Sequence, residues 1–395
     1  MMAMYTRLLD LPARSFLLLG PRSTGKTTWL RSLLPDARWY NLLLDRELLR
    51  LMREPGLFRR EIDALPAGSW VVVDEVQKLP SLLNDVHDAL ASAPRRWRFA
   101  LTGSSARRLR RDDVNLLAGR VISRQMFPLT FAELNAEPPV DELLSFGGLP
   151  LVRTEDDPAA RVDLLEAYVS TYLAQEIRAE ALVRNLEAFT RFLEVAALAH
   201  AQVTNVSSLA RDAAVSRPTV QGYFGVLVDT LIGTWLPAWR PRAKVKEIAH
   251  PKFYLFDCGV VRALARRLRE PIENAERGAL LETLVLHELR AHIAYCGCGG
   301  ELSYYRTPSG TEIDFIWTRG QHRIGIEVKA GARWRAEFSQ PLHDLRGSGT
   351  LTACFGVYLG ETAQQDRSVH VLPLYAFLRK LNDGHVLPPP RRHTA

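Results

Sequence analysis

The sequence predicts a mixed α/β chain with an N-terminal parallel sheet, a helical middle and a C-terminal α/β part. Residues 1–135 alternate short apolar runs with amphipathic stretches, which is typical of a parallel sheet covered by helices. Residues 158–235 show helical periodicity with few glycines or prolines, and from about residue 250 short strands follow a long helix. We therefore expect domains at residues 1–150, 151–245 and 246–385, with a disordered, proline-containing tail at 386–395.

The individual elements follow from the same patterns. Short apolar runs bounded by polar residues predict buried strands in the N-terminal part, at Phe16–Leu19, Trp70–Val73 and Arg98–Leu101. Turn-rich residues at 135–139 and 146–150 break the chain before the helical middle. In the C-terminal part we expect a helix over residues 278–295 and strands over 302–306, 312–318 and 322–329.

Composition excludes some classes of protein and leaves others open. Of the 395 residues, 47% are apolar and 24% charged, and no apolar run is long enough to cross a bilayer. Arg7, Asp10 and Arg14 interrupt any signal-peptide pattern, so we expect a cytoplasmic protein without a membrane partner. The formal charge of +7 favours a polyanionic partner, nucleic acid first, although arginines on solvated faces would give the same count.

The cysteine pattern does not predict a disulfide framework. The four cysteines are scattered along a long chain, at Cys258, Cys296, Cys298 and Cys354. The Cys296–Cys298 pair would suit a metal or a redox pair, but a structural zinc needs about four ligands and there is no second close pair. Reduced thiols are the simpler interpretation.

A phosphate-binding loop follows the first predicted strand. Residues Gly20–Thr27 fit the pattern G-x-x-x-x-G-K-[ST], with a strand before them and a helix after them. In such a loop successive backbone N–H groups face the phosphates, the lysine reaches the β and γ phosphates, and the hydroxyl binds Mg²⁺. The predicted nucleotide-contacting residues here are Gly20, Pro21, Arg22, Ser23, Thr24, Gly25, Lys26, Thr27 and Thr28.

Two acidic residues complete the predicted nucleotide site. Asp74 follows four buried residues at the carboxyl end of its strand, where α/β proteins bind ligands. We expect Asp74 to bind Mg²⁺ directly or through water, with Thr27, and Glu75 to act as the base that polarises the attacking water. Ser104 ends the next strand and is a candidate γ-phosphate sensor or water-positioning residue, unless its segment is only a strand-capping turn.

The order of these motifs resembles a known family. After GPRSTGKT, VVVDEVQ and LTGSS come Leu117–Arg120 and Phe127–Phe131, as in the prokaryotic AAA-type ATPases that carry a C-terminal domain of unknown function, number 4143. The glycine pair in Phe146–Pro150 is also similar, and the resemblance covers about residues 5–385. It implies an AAA-type sheet with an extra strand between the P-loop strand and the Asp74 strand. It also makes Arg120 a candidate arginine finger or sensor, the alternative being a surface salt bridge.

The helical middle contains a helix-turn-helix pattern. Ser207 or Ser208 is predicted to cap the first helix and Ser216 the second, with apolar residues on a shared buried side at Leu209, Val215, Val220, Leu227 and Leu231. The second helix would present Arg217, Thr219 and Gln221, where recognition helices read the major groove. The basic residues of a wing would follow, at Arg240, Arg242, Lys244 and Lys246. Such a module binds DNA or serves only to pack domains together.

The C-terminal strands carry acidic residues and a lysine in a nuclease-like pattern. Asp314 is predicted to lie across a hairpin from Glu327, with Lys329 on the same face as Glu327 and Gly320–Gln321 in the connection. This order resembles the PD-(D/E)xK nuclease core, in which two carboxylates hold Mg²⁺ and the lysine orients or activates water. Glu282 on the preceding helix matches the additional acidic position. Ile313 stands where the fuller motif has proline, which many active members of that class also lack. The pattern therefore fits an active nuclease, a nuclease-like fold that no longer cuts, or a chance salt bridge between strands.

Two functions from different classes fit the whole sequence. The first is an ATP- and Mg²⁺-dependent enzyme that acts on DNA, in which the nucleotide state controls a nuclease. The second is an ATP-switched module whose C-terminal domain binds DNA or a protein partner without cutting. We also expect a homo-oligomer or weak self-association, because AAA-type sites commonly take an arginine from a neighbouring subunit.

Overall fold

The computed structural model describes residues 5–105, 117, 119–134, 137–173, 185–240 and 250–389. Contacts divide the chain into two compact units. The N-terminal unit comprises Arg7–Phe127 and Asp229–Ile232, and the C-terminal unit comprises Met1–Thr6, Pro128–Val228 and Gly233–Ala395. In the described ranges, no helix has the length and apolar composition of a membrane span.

The N-terminal unit is built on a five-stranded parallel sheet. Its strands are β1 (Phe16–Leu19), β2 (Arg38–Asn41), β3 (Ser69–Asp74), β4 (Trp97–Gly103) and β5 (Ile122–Gln125). The spatial order is β2-β3-β4-β1-β5, so β4 lies between the P-loop strand β1 and the Asp74 strand β3. This confirms the expected AAA-type order and the three strands predicted from apolar runs.

Helices α1 (Lys26–Leu33), α2 (Asp45–Arg53), α3 (Leu57–Asp63) and α4 (Leu82–Ser92) connect these strands, with a 3₁₀ turn at Val76–Lys78. The core joins apolar strand residues such as Val71, Val73 and Leu101 to helix residues such as Val86. Strands β2 and β5 were not predicted. They form the two edges of the sheet and contain few fully buried residues, so they lack the continuous apolar run of a central strand.

The C-terminal unit begins with helices. They are α5 (Val140–Phe146), α6 (Pro150–Arg153), α7 (Pro158–Ala167), α8 (Leu186–Leu198), α9 (Val206–Asp212) and α10 (Arg217–Asp229), with a π-helical turn at Tyr168–Leu173 and a 3₁₀ turn at Phe131–Glu133. The antiparallel strands β6 (Gly233–Leu236) and β7 (Lys252–Leu255) follow.

Pro128 onward belongs to this unit, and Leu129 N donates to Gly148 O at 2.7 Å within it. The predicted boundaries at 150 and 245 stay predictions. At the other end of the chain, Val386 and Leu387 begin the predicted disordered tail, yet their side chains are buried.

Helices α9 and α10 form the predicted helix-turn-helix. Their apolar side is as expected: Leu209, Val220 and Leu227 are buried, and Val215 and Leu231 partly buried. One prediction was wrong: the side chain of Asn205, not that of Ser207 or Ser208, accepts the N–H groups that start α9. Asparagine is an equally good capping residue and stands one position before the helix. Ser216 caps α10, accepting from Thr219 N at 3.3 Å.

The C-terminal sheet has six strands. They are β8 (Glu301–Arg306), β9 (Glu312–Arg319), β10 (His322–Lys329), β11 (Ala353–Tyr358), β12 (Gln364–Asp366) and β13 (Val369–Pro373), in the order β12-β13-β11-β10-β9-β8. The predicted strands correspond to β8, β9 and β10, which pair antiparallel. The helices are α11 (Cys258–Leu264), α12 (Asn274–Cys296), α13 (Ala336–Gly347) and α14 (Leu374–Asn382). The predicted 278–295 helix is α12.

Candidate functional site

The phosphate-binding loop joins β1 to α1 by a tightly packed turn. A side chain at position 20 would meet the carbonyl oxygen of Met126 at 2.4 Å, so only glycine fits there. Gly25 has φ +90° and precedes the first residue of α1. The two glycines of the motif are therefore required for different reasons: Gly20 for the close approach of the backbone to Met126, and Gly25 for its left-handed backbone conformation.

Lys26 lies over the loop that precedes it. Its ammonium donates to Gly20 O at 2.8 Å and to Pro21 O at 3.0 Å, and the side chain is 5% exposed. Thr24 Oγ1 closes the same turn by donating to Pro21 O at 2.9 Å. The structure thus places the lysine inside the loop, where the motif requires it.

Arg7 supports the loop from outside and was not predicted to do so. One guanidinium nitrogen donates to Thr24 O and another to Phe127 O, both at 2.7 Å. The loop carbonyl at Thr24 is therefore tied to the segment that follows β5. Nothing in the local sequence around Arg7 indicates this long-range contact.

Asp74 ends β3 beside two hydroxyl groups. Thr27 Oγ1 donates to Asp74 Oδ2 at 2.9 Å, and Thr102 Oγ1 donates to Asp74 Oδ1 at 2.5 Å. Burial raises the pKa of Asp74 above its ordinary value, and the two hydroxyl hydrogen bonds act in the opposite direction. A threonine hydroxyl and a buried carboxylate in contact are oxygen donors of the kind that Mg²⁺ prefers, so these residues fit that ion.

Glu75 is held by a small hydrogen-bonded group. Its backbone has φ +60°, and its N–H donates to Thr102 Oγ1 at 2.9 Å. Its carboxylate accepts from Ser104 Oγ at 2.9 Å and from Gln77 Nε2, which also donates to Ser104. Ser104 therefore lies at the site, as predicted, and contacts the expected base. Gln77 was missed, although the sequence D-E-x-Q places it two residues beyond Glu75.

The carboxylate cluster of the C-terminal sheet lies on the β9–β10 hairpin. The pairing of Ile326 with Phe315 places Asp314 opposite Glu327 in the next register position, as predicted. Asp314 N donates to Glu327 Oε2 at 3.4 Å, and Val328 N donates to Asp314 Oδ2 at 2.8 Å. Asp314 and Glu327 are 4% and 5% exposed.

Lys329 joins these two carboxylates. Its ammonium contacts Glu327 Oε1 closely and lies 3.8 Å from Asp314 Oδ2. Burial raises the pKa of Glu327 well above its ordinary value and the negative charge of Asp314 raises it further, while Lys329 lowers it. Burial opposes the charge on Lys329, but Asp314 and Glu327 together raise its pKa, so it stays protonated. The structure thus brings Asp314, Glu327 and Lys329 together on the hairpin, while their catalytic roles stay predictions.

Glu282 approaches the same group from α12, together with a second lysine that sequence reasoning missed. Glu282 Oε2 accepts from the Tyr254 hydroxyl at 2.7 Å and lies 3.5 Å from Lys252 Nζ. Burial and the charge of Asp314 raise the pKa of Glu282 to about 7, against the attraction of Lys252. Lys252 and Tyr254 are two residues apart on β7, so both side chains lie on the same face of the strand. This alternation was the signal in the sequence that could have indicated their shared contact with Glu282.

Three family models match successive parts of the chain. Residues 13–135 match a model described as "AAA domain", residues 138–270 match "Domain of unknown function (DUF8612)", and residues 277–377 match "Domain of unknown function (DUF4143)". The N-terminal part of the chain thus matches the AAA domain model, and the C-terminal part matches the DUF4143 model. The P-loop, Asp74, Glu75 and Ser104 all lie in the AAA domain, and Glu282, Asp314, Glu327 and Lys329 lie in the DUF4143 domain.

Similar proteins extend over most of the chain. The uncharacterized protein Rv2008c of Mycobacterium tuberculosis is 27% identical over 319 residues, which cover 79% of this chain and 69% of that protein. The uncharacterized protein MJ1544 of Methanocaldococcus jannaschii is 22% identical over 360 residues, covering 80% and 75%. The crystal structure of Cdc6p from Pyrobaculum aerophilum matches 65% of this chain and 88% of that one, at 16% identity and a TM-score of 0.25, which is too low to support an argument.

Two other predicted residues of the AAA domain, Thr28 and Arg120, have exposed side chains. Thr28 is exposed on α1, and Arg120 is exposed in a turn that its backbone N–H closes onto Leu117 O at 3.0 Å. Its role as a finger concerns a neighbouring subunit and stays a prediction.

The DUF4143 cluster does not fit a divalent metal in the arrangement seen. Among the residues that the structure describes, no three or more His, Cys, Asp or Glu side chains are placed to hold a metal ion. Lys329 contacts Asp314 and Glu327, and Lys252 contacts Glu282 and Glu312. The predicted metal-binding role of Asp314 and Glu327 stays a prediction; in the arrangement seen, ammonium groups contact Glu327 and Glu282. None of the four cysteines, all of which lie in the described ranges, forms a disulfide.

Proposed function

We propose that the AAA domain binds ATP with Mg²⁺ and hydrolyses it. One observation supports this most strongly: the Thr27 hydroxyl contacts the Asp74 carboxylate at 2.9 Å, directly beside the loop that buries Lys26. The P-loop motif, the strand order of the sheet and the match to the AAA family model point the same way.

The roles of the residues follow from their positions. The loop N–H groups and Lys26 would bind the phosphates, and Thr27 with Asp74 would hold the metal. When bound, Mg²⁺ neutralises charge that builds up on the phosphate oxygens. Glu75 would accept the proton of the attacking water. Ser104 and Gln77 would orient the Glu75 carboxylate, because both donate to the same oxygen, Oε2.

The proposal is tested by separating binding from turnover. Lys26→Ala should abolish nucleotide binding, since it removes the charge that meets the phosphates. Glu75→Gln should keep binding but slow hydrolysis by about a hundredfold or more, because the amide cannot take a proton. Phosphate release and binding of a fluorescent ATP analogue measure the two steps, with Glu187→Gln, an exposed position in the other unit, as the matched control. Wild-type hydrolysis by Glu75→Gln would remove Glu75 as the base.

We also propose that the C-terminal unit acts on DNA, with protein binding as the alternative. A specific observation favours DNA: α10 presents the exposed side chains of Arg217 and Gln221 at its start, in a helix-turn-helix followed by the β6–β7 pair. Arg240 is exposed after β6, while Arg242, Lys244 and Lys246 lie outside the described residues.

Anisotropy of labelled duplexes with the full chain tests this second proposal. We expect binding that weakens steeply with salt and shows little sequence preference. Absence of binding even at low salt would favour a protein partner.

A further inference from the structure

Lys252 is an unusual residue for a strand in a buried position. Its side chain is 4% exposed, and its ammonium lies 2.6 Å from Glu312 Oε1 and 3.5 Å from Glu282 Oε2. The ring of Tyr304 lies 5.4 Å from the same ammonium. A lysine that is buried this deeply persists only when opposite charges compensate for its lost hydration, and two carboxylates do so here.

Each lysine of the cluster meets two carboxyl groups. Lys252 meets Glu282 and Glu312, and Lys329 meets Asp314 and Glu327. Burial opposes the charge on Lys252, but Glu282, Asp314 and Glu312 together raise its pKa above the ordinary value. The ammonium is therefore charged throughout the neutral pH range, and it supplies fixed positive charge next to the carboxylate from α12.

Metal coordination would require the same oxygens. Mg²⁺ and Mn²⁺ need several oxygen ligands that face one point, and Mg²⁺ demands a nearly octahedral set. Glu282 Oε2 instead faces Lys252 and Tyr254, and Asp314 Oδ2 accepts from the backbone N–H of Val328. A divalent ion bound by Glu282 would lie close to the Lys252 ammonium, and the repulsion between two cations is weakly screened in a buried position.

We propose that Lys252 takes the place of a divalent cation in the DUF4143 domain and closes the nuclease-like cluster to metal. The inference rests on the proposal that this unit acts on DNA, and it specifies how: by contact with DNA and without metal-dependent cleavage. Lys252 thus determines the ion specificity of the cluster: its own ammonium fills the cation position, and Mg²⁺ and Mn²⁺ are excluded.

Mn²⁺ binding tests this directly. Free Mn²⁺ is measured by electron paramagnetic resonance during titration of the nucleotide-free full chain. We expect no bound Mn²⁺ that depends on Glu327 in the wild type. Lys252→Met should gain one Mn²⁺ per chain, and the gain should disappear in Lys252→Met with Glu327→Gln. Lys252→Arg keeps the positive charge and is the matched control, so it should gain none. Asp74→Asn should remove any Mn²⁺ bound by the AAA domain, so it distinguishes that ion from one bound in the DUF4143 domain.

Two results would overturn the proposal. The first is Mn²⁺ binding by the wild-type protein that is lost in Glu327→Gln and kept in Asp74→Asn. This measurement needs no Lys252 variant, so it decides the question even where Lys252→Met fails to fold. The other is folded Lys252→Met, or Lys252→Gln, that gains no Mn²⁺. Because the readout is Mn²⁺ alone, failure of DNA binding or of ATP hydrolysis is recorded separately and is not confused with either result.

Discussion

Glu288 should make the C-terminal unit less stable as the pH rises. It lies on α12 with 7% exposure, and its carboxyl accepts the Phe131 N–H at 2.7 Å. Burial raises its pKa from 4.5 to about 8, the hydrogen bond from Phe131 lowers it, and nearby Glu133 raises it further. The folded carboxyl thus stays protonated to about pH 8, whereas in the unfolded chain it ionises near pH 4.5.

The sign and size of the effect follow from proton linkage. Between these two pKa values the folded state binds more protons, so the free energy of unfolding falls as pH rises, and it levels off above pH 8. From pH 6 to pH 8 the loss is about 2 kcal/mol, because the slope of about 1.36 kcal/mol per pH unit falls to half as the pH reaches the folded-state pKa. Glu288→Gln cannot ionise, and its amide oxygen still accepts from Phe131, so the variant should lack this loss.

Urea unfolding at several pH values between 6 and 8.5 measures the difference. Far-UV circular dichroism follows the transition of the C-terminal unit in wild type and in Glu288→Gln. The control variant Glu187→Gln changes an exposed glutamate and keeps the Glu288 carboxyl, so its stability should depend on pH as that of the wild type does. Equal pH slopes for wild type and Glu288→Gln would refute the reasoning.

Three further predictions concern the two sites. Gln77→Leu should lower kcat for ATP hydrolysis about tenfold with little change in KM, since it removes a hydrogen bond to a charged base; steady-state kinetics that show an unchanged kcat would count against this role. Arg120→Ala should abolish any rise of the hydrolysis rate per chain with protein concentration and leave the affinity for ATP unchanged, because an arginine finger contributes about 10³ in rate. Wild-type activity per chain that does not depend on protein concentration would exclude Arg120 as a finger. DNA affinity should fall with salt at a logarithmic slope of about 0.9 per phosphate contact on duplex, measured by anisotropy, and a flat salt response would contradict phosphate binding.

Sequence reasoning succeeded where residues that act together are neighbours in the chain. The loop Gly20–Thr27 and the Asp74–Glu75 pair are contiguous, and the strand that carries each is a complete apolar run. The β9–β10 hairpin is also local, so alternation and the short turn were enough to place Asp314 opposite Glu327. In each case the period of the strand and the direction of the chain determine which side chains meet.

It failed where partners come from distant segments. Lys252 reaches Glu282 across 30 residues, and Arg7 reaches Phe127 O across 120. Such contacts depend on how the elements pack, which no local pattern contains. Gln77 is a different case, because it is close in sequence to Glu75. Its position follows from the left-handed backbone at Glu75, which turns the chain back so that both side chains meet Ser104.

The two sites can be studied separately because each is complete within one unit. Every described contact of Lys26, Asp74 and Glu75 discussed above stays within Arg7–Phe127, and the cluster around Lys252 stays within Gly233–Ala395. Substitutions at one site therefore leave the direct contacts of the other unchanged. In Lys252→Met, any change that bound Mn²⁺ makes in the affinity for ATP would have to be transmitted between the units, and its size would measure their coupling free energy. ATP must then change the affinity for that Mn²⁺ by the same factor, measured with Glu75→Gln added to slow hydrolysis, since coupling of binding free energies is reciprocal.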